Sequence, residues 1–230
     1  MSEAGSVRVE DHGSGYRTLL LDRPAVRNAI DAATVAAILD GISSASGLAV
    51  VIGSTSEQAF SAGADVTLED AERAAVSDSL YALYMEMRAS PKIIIAAASG
   101  HAVGGGAQLL IAADLRIASK ELTIRFMGPG HGLAVGAWGL PSLVGRGRAM
   151  DLCLSMRPVP ADEALAMGLI DRLADDPVGE AHAYAAAIAQ LDHAAVTAVK
   201  RVVLTASADD ALAAERAHNS AWDGSIPTHG

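Results

Sequence analysis

Apolar and polar positions change period several times along the chain, and each change marks an element. Val7–Glu10 and Tyr16–Asp22 ("YRTLLLD") read as two strands, and the turn signal "DHGSG" joins them into a hairpin. Asp31 stands where an N-cap belongs, just ahead of "AATVAAILDGI", whose apolar residues recur at helical spacing. "LAVVIG", Leu48–Gly53, is apolar without alternation, as in a short strand buried on both faces. After an acidic patch, the spacing predicts a helix from Ser77 to Met87. Pro91 ends that region and "KIIIAAASG" reads as another buried strand. Gly105 to Ala113 predicts a helix, and "DLRIAS" the strand after it.

Strands and helices thus alternate from residue 7 to residue 118, an α/β order with ββα character. From Gly136 the pattern turns helical. "RAMDLCLS", "ADEALAMG", "GEAHAYAAAIAQL", "AAVTAVKRVVLTA" and "ADDALAAERAHNSAW" all carry helical spacing, with only "LIDRLA" extended between them. No repeat of fixed period, low-complexity linker or break in composition interrupts the chain. The expectation is one domain, with a ββα core over residues 1–135 and a helical region over 136–230.

Composition narrows the class of protein. With 51% apolar residues, a chain of 230 can bury a full core, and the 3% aromatic content implies close packing of small side chains. The net charge of −10, without any Lys/Arg cluster, argues against a nucleic acid or an anionic membrane surface as partner. It leaves room for an anionic small molecule, which needs only a few local donors. No apolar run approaches the roughly 20 residues needed to span a bilayer. Cys153 is the single cysteine, so no internal disulfide forms, which fits a reducing compartment. "MSEAGSVRVE" lacks a basic segment followed by an apolar one, so a cytoplasmic location is expected.

Two glycine-bearing stretches hold the candidate chemistry. In "SGHAVGGGAQLLIAAD" a glycine turn leads from a strand into a helix. The first N–H groups of a helix lack internal partners, and glycines let a carbonyl or phosphate approach them closely. Tight strand–helix packing would explain the same glycines. A P-loop needs Lys and then Ser/Thr after its last glycine, where this chain has Ala107 and Gln108, and the spacing is not GxGxxG. The second stretch, "AFSAGADVTLED", sets Ala64 and Asp65 at a strand-to-loop turn. Together the two stretches offer a pair of backbone N–H groups, the arrangement that stabilises an oxyanion.

"LDRPAVRNAID", "AFSAGAD", "GHAVGGGAQLLIAADLRIAS" and "GLIDRL" occur in the order and spacing of the enoyl-CoA hydratase/isomerase (crotonase) family, which the chain resembles from residue 7 to residue 205. The resemblance implies an α/β fold, a crotonase-like spiral of ββα units with a C-terminal helical region. It implies an acyl-CoA thioester as ligand or substrate, no further cofactor and no metal, lyase or isomerase chemistry of fatty-acid metabolism, and assembly as a homotrimer or hexamer. By motif position the two amides that hold the thioester oxygen fall on Ala64 and Gly105, with Asp65, Val66 and Thr67 continuing the ligand-contacting loop.

The chain departs from the family pattern at the acid–base groups. Hydratases of the family use two glutamates to add water. The first position holds Gln108, which orients water but takes no proton at neutral pH. The second falls on Gly128, after Met127 in place of proline. The usual "PGxGGT" turn is replaced by "GLAVGAWGLPSLVG". Ordinary hydration is therefore not expected. A non-catalytic acyl-CoA carrier or sensor is one alternative, and a hydrolase or isomerase with His101 or His131 as base is another. Trp138 is a candidate for the acyl pocket or for the core. Arg23 and Arg27 are candidates for CoA phosphates or for surface ion pairs, although Ala25 stands where the family often has a lysine.

Overall fold

The structure, a computed structural model, describes residues 5–13, 15–204, 216, 217, 219 and 220. Strands β1 (Val7–His12) and β2 (Tyr16–Leu21) pair antiparallel, from Val7 opposite Leu21 to His12 opposite Tyr16. Helix α1 (Ala32–Ser43) begins where the sequence supplies its cap. The Asp31 carboxylate accepts the Thr34 N–H and the Thr34 hydroxyl, both at 2.8 Å.

The order of long strand, short strand and helix then recurs. First come β3 (Ala49–Ser54), β4 (Ala59–Ser61) and α2 (Asp70–Ala89), followed by β5 (Ile93–Ala98), β6 (His101–Val103) and α3 (Gly105–Ala112). Next are β7 (Leu115–Ala118) and β8 (Thr123–Arg125), with α4 (Leu140–Val144) and α5 (Arg146–Ser155). The remainder comprises β9 (Val159–Pro160), α6 (Ala161–Met167), β10 (Arg172–Leu173), α7 (Pro177–Ile188) and α8 (His193–Leu204).

Long and short strands separate into two sheets. The first runs β1-β2-β3-β5-β7-β10 and is parallel after the hairpin. The second runs β4-β6-β8-β9 and is parallel except at β8/β9. Each successive unit moves one step along both sheets, which makes the ββα spiral. β9 and β10 come from the helical region, so that region completes both sheets.

The unbroken apolar run of β3 has a direct cause. Val50 and Ile52 face the core shared with α1, α2 and α3, while Ala49 and Val51 face a smaller one with Ile95, Ile117 and the α7 residues Ala181 and Ala185. Helix α2 begins at Asp70, ahead of the expected Ser77, because its polar first turn is structural. The buried Arg73 guanidinium donates to Val66 O at 3.0 Å and Leu68 O at 2.6 Å, and pairs with Asp70. The expected helix "ADDALAAERAHNSAW" lies largely outside the described residues. Among the described residues no helix is long and apolar enough to cross a membrane.

Candidate functional site

A web of hydrogen bonds around Asn28 sets the first wall of the site. Asn28 takes a left-handed conformation (φ 53°) and is buried. Its Nδ2 donates to Ser54 Oγ (2.7 Å), Ala59 O (3.0 Å) and Phe60 O (3.2 Å), while its Oδ1 accepts from Arg23 N (2.8 Å). Ser61 Oγ donates to Asn28 O at 2.8 Å and accepts the Gly63 N–H at 3.1 Å. Ile30 N then donates to Gly63 O (2.8 Å), and Asp65 N donates to Ile30 O (2.9 Å). These bonds use the groups on either side of the Ala64 amide. That N–H therefore points the opposite way, towards a cavity that Ala64 lines, with no acceptor among the described residues.

The three glycines of the second wall have three different jobs. Gly104, at φ +53°, ends β6 and donates to Arg125 O at 2.9 Å. Gly105 is the first residue of α3. Its carbonyl accepts the Tyr84 hydroxyl at 2.8 Å, and its N–H has no acceptor among the described residues. A Cβ at Gly105 would stand 3.4 Å from Ala64 N, so the two unpartnered amides belong to adjacent backbone segments. A Cβ at Gly106 would stand 2.5 Å from Ser61 O, so that glycine lets α3 pack on β4. Within "GGG", the packing reading thus applies to Gly106, while Gly105 leaves its amide without an acceptor among the described residues.

Between the walls lies a cavity of about 240 Å³. Its apolar lining includes Leu80, Tyr81, Met127, Leu133 and Val135, and its polar lining includes Arg73, Ser77, Gln108, His131 and Asn219. Gln108 is buried. Its Oε1 accepts from Gly136 N at 3.1 Å and from Trp138 Nε1 at 2.9 Å. Asn219 ties the far wall together by donating to Tyr81 Oη at 2.5 Å and Ala134 O at 3.1 Å, and by accepting from Ala134 N at 3.1 Å.

The other candidates separate by position. Val66 lines the cavity, and its neighbours Asp65 and Thr67 brace the loop behind it. Asp65 Oδ1 accepts from the Thr67 hydroxyl (2.6 Å) and the Thr67 N–H (3.0 Å), and Oδ2 meets Arg23 at 3.3 Å. The Thr67 hydroxyl bond, with the Arg23 charge adding to it, holds the Asp65 carboxyl below the ordinary aspartate range. Arg23 also donates to Ala29 O and pairs with Asp31 at 3.0 Å, so it is a scaffold residue. Arg27 is exposed, and its carbonyl accepts from the cavity residue Ala62 at 2.9 Å. His131 lines the cavity, with its Nδ1 enclosed and unpartnered. His101 is exposed on β6 and is not among the lining residues.

Trp138 and Gly128 are not among the residues that line this cavity. Trp138 is a core residue, 2% exposed, stacked on Tyr84 at 6.2 Å between ring centroids, and it meets the site through Gln108 and Tyr84. Gly128 has no room for any side chain. A Cβ there would stand 2.7 Å from Leu133 O and 2.8 Å from Val135 N. Tyr81, Tyr84, Arg73 and Asn219 join the site without having been singled out. Only the tyrosines left a trace, as an i, i+3 pair on a helix otherwise poor in aromatics.

Two amides from successive ββα units, without acceptors among the described residues, lie beside one largely apolar cavity, an arrangement chemically suited to a carbonyl-type oxygen. Residues 13–229 match the family model described as enoyl-CoA hydratase/isomerase. The chain is 37% identical over 191 residues to the probable enoyl-CoA hydratase echA6 of Mycobacterium tuberculosis, covering 81% of this chain and 77% of that protein. It is 30% identical over 223 residues to the putative enoyl-CoA hydratase/isomerase YngF of Bacillus subtilis, covering 91% and 86%. The crystal structure of a putative enoyl-CoA hydratase/isomerase from Bordetella parapertussis superposes with a TM-score of 0.84 at 28% identity, covering 93% and 92%. The chain belongs to the enoyl-CoA hydratase/isomerase family, and its ββα spiral is the crotonase fold.

Proposed function

We propose that the protein binds acyl-CoA thioesters, with the thioester oxygen accepting from Ala64 N and Gly105 N, and that it does not carry out ordinary hydration. The observation that carries this reading is the pair of amides without acceptors among the described residues, on one apolar cavity. In a dry site each such donor is worth roughly 2.7–4 kcal/mol towards a developing oxyanion. Two observations argue against water addition. Gln108 is a neutral amide whose oxygen is held by Gly136 and Trp138, and Gly128 has backbone atoms where a second side chain would have to start. The family supplies the ligand class, and these residues remove the usual acid–base pair.

A second reading has one observation in its favour. His131 lines the cavity, so a step needing a single base, thioester cleavage or double-bond migration, would fall to it. Both readings are tested by titrating the protein with acyl-CoAs of increasing chain length, followed by calorimetry and product analysis. The expected outcome is saturable heat without hydration of crotonyl-CoA. An absence of binding at every chain length would overturn the thioester site, and crotonyl-CoA hydration at an enzymic rate would overturn the second half of the proposal. Cleavage or isomerisation that survives His131→Ala would remove His131 as base.

A further inference from the structure

A second and larger cavity, of about 790 Å³, lies at the opposite end of α3 and shares no lining residue with the first. The start of α3 serves the first cavity, while Ile111 and Ala113 at its other end line this one. Its remaining walls come from the starts of β5 and β7, from α4, and from α7 and α8. Along α8, Ala195, Val196, Val199 and Val203 follow at spacings of one, three and four residues, a single helix face about 12 Å long. Val199 and Val203 are exposed there, as is Leu191. The volume falls within the roughly 300–1,000 Å³ of small-molecule sites, which share this mainly apolar lining with a few polar groups.

One end of the cavity is electropositive. The Asp114 carboxylate lies there among three lining cations. Lys200 pairs with it at 2.8 Å, and the Arg116 charge acts on it, although Arg116 is also tied to Asp171 and to Ala113 O. Arg88, on the last turn of α2, places its guanidinium over the Trp138 ring, 5.5 Å from the centroid. Burial first, and then the nearby Arg88 charge, depresses the Lys200 pKa against the pull of Asp114. The other lining carboxylate, Asp192, belongs to the opposite end, where it caps α8 by accepting the Ala195 N–H at 2.8 Å.

We propose that this second cavity binds a fatty carboxylate, with the carboxylate beside Arg88 and the alkyl chain running along α8 towards Asp192. The two ends of the cavity set that direction, because a reversed ligand would bring its charge to Asp192. A neutral chain gains only the apolar wall, and a cationic head meets Arg88 and Lys200. Trp138 lines this cavity, so its indole stands against the ligand and reports it.

The test uses the full chain with Trp222→Phe, which leaves Trp138 as its only tryptophan. Dodecanoate, dodecanol and dodecyltrimethylammonium are titrated below their micellar concentrations and followed by fluorescence and calorimetry. Dodecanoate is expected to bind saturably, about tenfold tighter than dodecanol, the fold-change of one charge-assisted contact, with the cation weakest. Arg88→Gln should bring dodecanoate to the level of dodecanol. Val199→Glu sets a carboxylate on the exposed α8 face and should weaken dodecanoate by tenfold or more. If one variant fails to fold, the other decides. No saturable binding, equal affinities for the three probes, or an affinity that neither substitution moves overturns the inference. Light scattering is expected to give the same mass for the parent and Val199→Glu. A mass that falls on substitution would assign the groove to a second copy of the chain and overturn the inference as well.

Discussion

A methyl group at position 105 would sit 2.9 Å from Leu80 Cδ1 and 3.4 Å from Ala64 N, in the space that the proposed thioester oxygen would need to reach both amides. The first obstacle is the flexible end of a side chain, so Gly105→Ala is expected to fold with a change of about 1 kcal/mol or less. It should nevertheless weaken butyryl-CoA binding by tenfold or more, because the methyl group takes the oxygen's place. Gly63→Ala meets a different obstacle, the Val103 carbonyl oxygen at 2.7 Å, and forces a side chain onto φ +89°. Its expected cost is about 2–4 kcal/mol of stability. Urea denaturation beside calorimetry separates the two variants, one defective in the site and the other in the scaffold. Motif position in the family resemblance singles out Ala64, Gly105 and Gln108, and the fold brings all three to one cavity. The anchoring of Gln108 was not legible, because Gly136 and Trp138 lie 28 and 30 residues further on and meet it only through the fold.

Helix α8 is amphipathic but leaves Val199, Val202 and Val203 exposed, so its attachment rests heavily on Lys200. The Lys200 ammonium is buried, and it meets Asp114 Oδ2 at 2.8 Å, Met87 O at 2.9 Å and Lys92 O at 2.7 Å. Asp114 Oδ2 also accepts the Ile94 N–H at 2.8 Å, so one ion pair binds α8 to the start of β5 and the end of α2. Burial pushes the Asp114 carboxyl up and the Lys200 ammonium down, against the attraction between them. Lys200→Met strands the carboxylate and is expected to cost about 3–5 kcal/mol, with the double variant Asp114→Asn/Lys200→Met recovering part of it. Thermal denaturation of the single and double variants reads this directly. The sequence predicts α8 from its periodicity, and the six-residue strands β3 and β5 from their apolar runs. The strands of the second sheet have three residues or fewer, shorter than any alternation can mark. Their existence depends on pairing with one another, which is why a sheet with Ala64 and Gly105 just beyond its first two strands escaped the pattern.

Across the molecule, the response to pH should fall into two limbs whose signs follow from where protons are excluded. His182 on α7 shares the Thr18 hydroxyl with His12, at 2.9 and 3.0 Å, and the two imidazole rings lie 4.8 Å apart. Burial, reinforced by His12, depresses the His182 pKa below its ordinary 6.5, against the weaker pull of Glu10 and Asp176. The unfolded chain therefore takes up this proton first as pH falls through 6.5. Stability is lost from there down to the folded value, as the junction between the hairpin and α7 would have to accept charge. Asp22 and Asp65 act lower. The Thr55 hydroxyl and then Arg8 depress Asp22, and the Thr67 hydroxyl and Arg23 depress Asp65, both below 3.8. Their contribution is present above 3.8 and disappears as pH falls through the folded values. Asp114, raised by burial, acts in the opposite sense on this second limb. Denaturation midpoints measured from pH 8 to pH 3, pH values chosen to bracket about 6.5 and 3.8, should show both limbs in the parent. His182→Gln keeps a partner for Thr18 but cannot titrate, so it is expected to flatten the upper limb and leave the lower one. An upper limb that survives in that variant would assign it to another group.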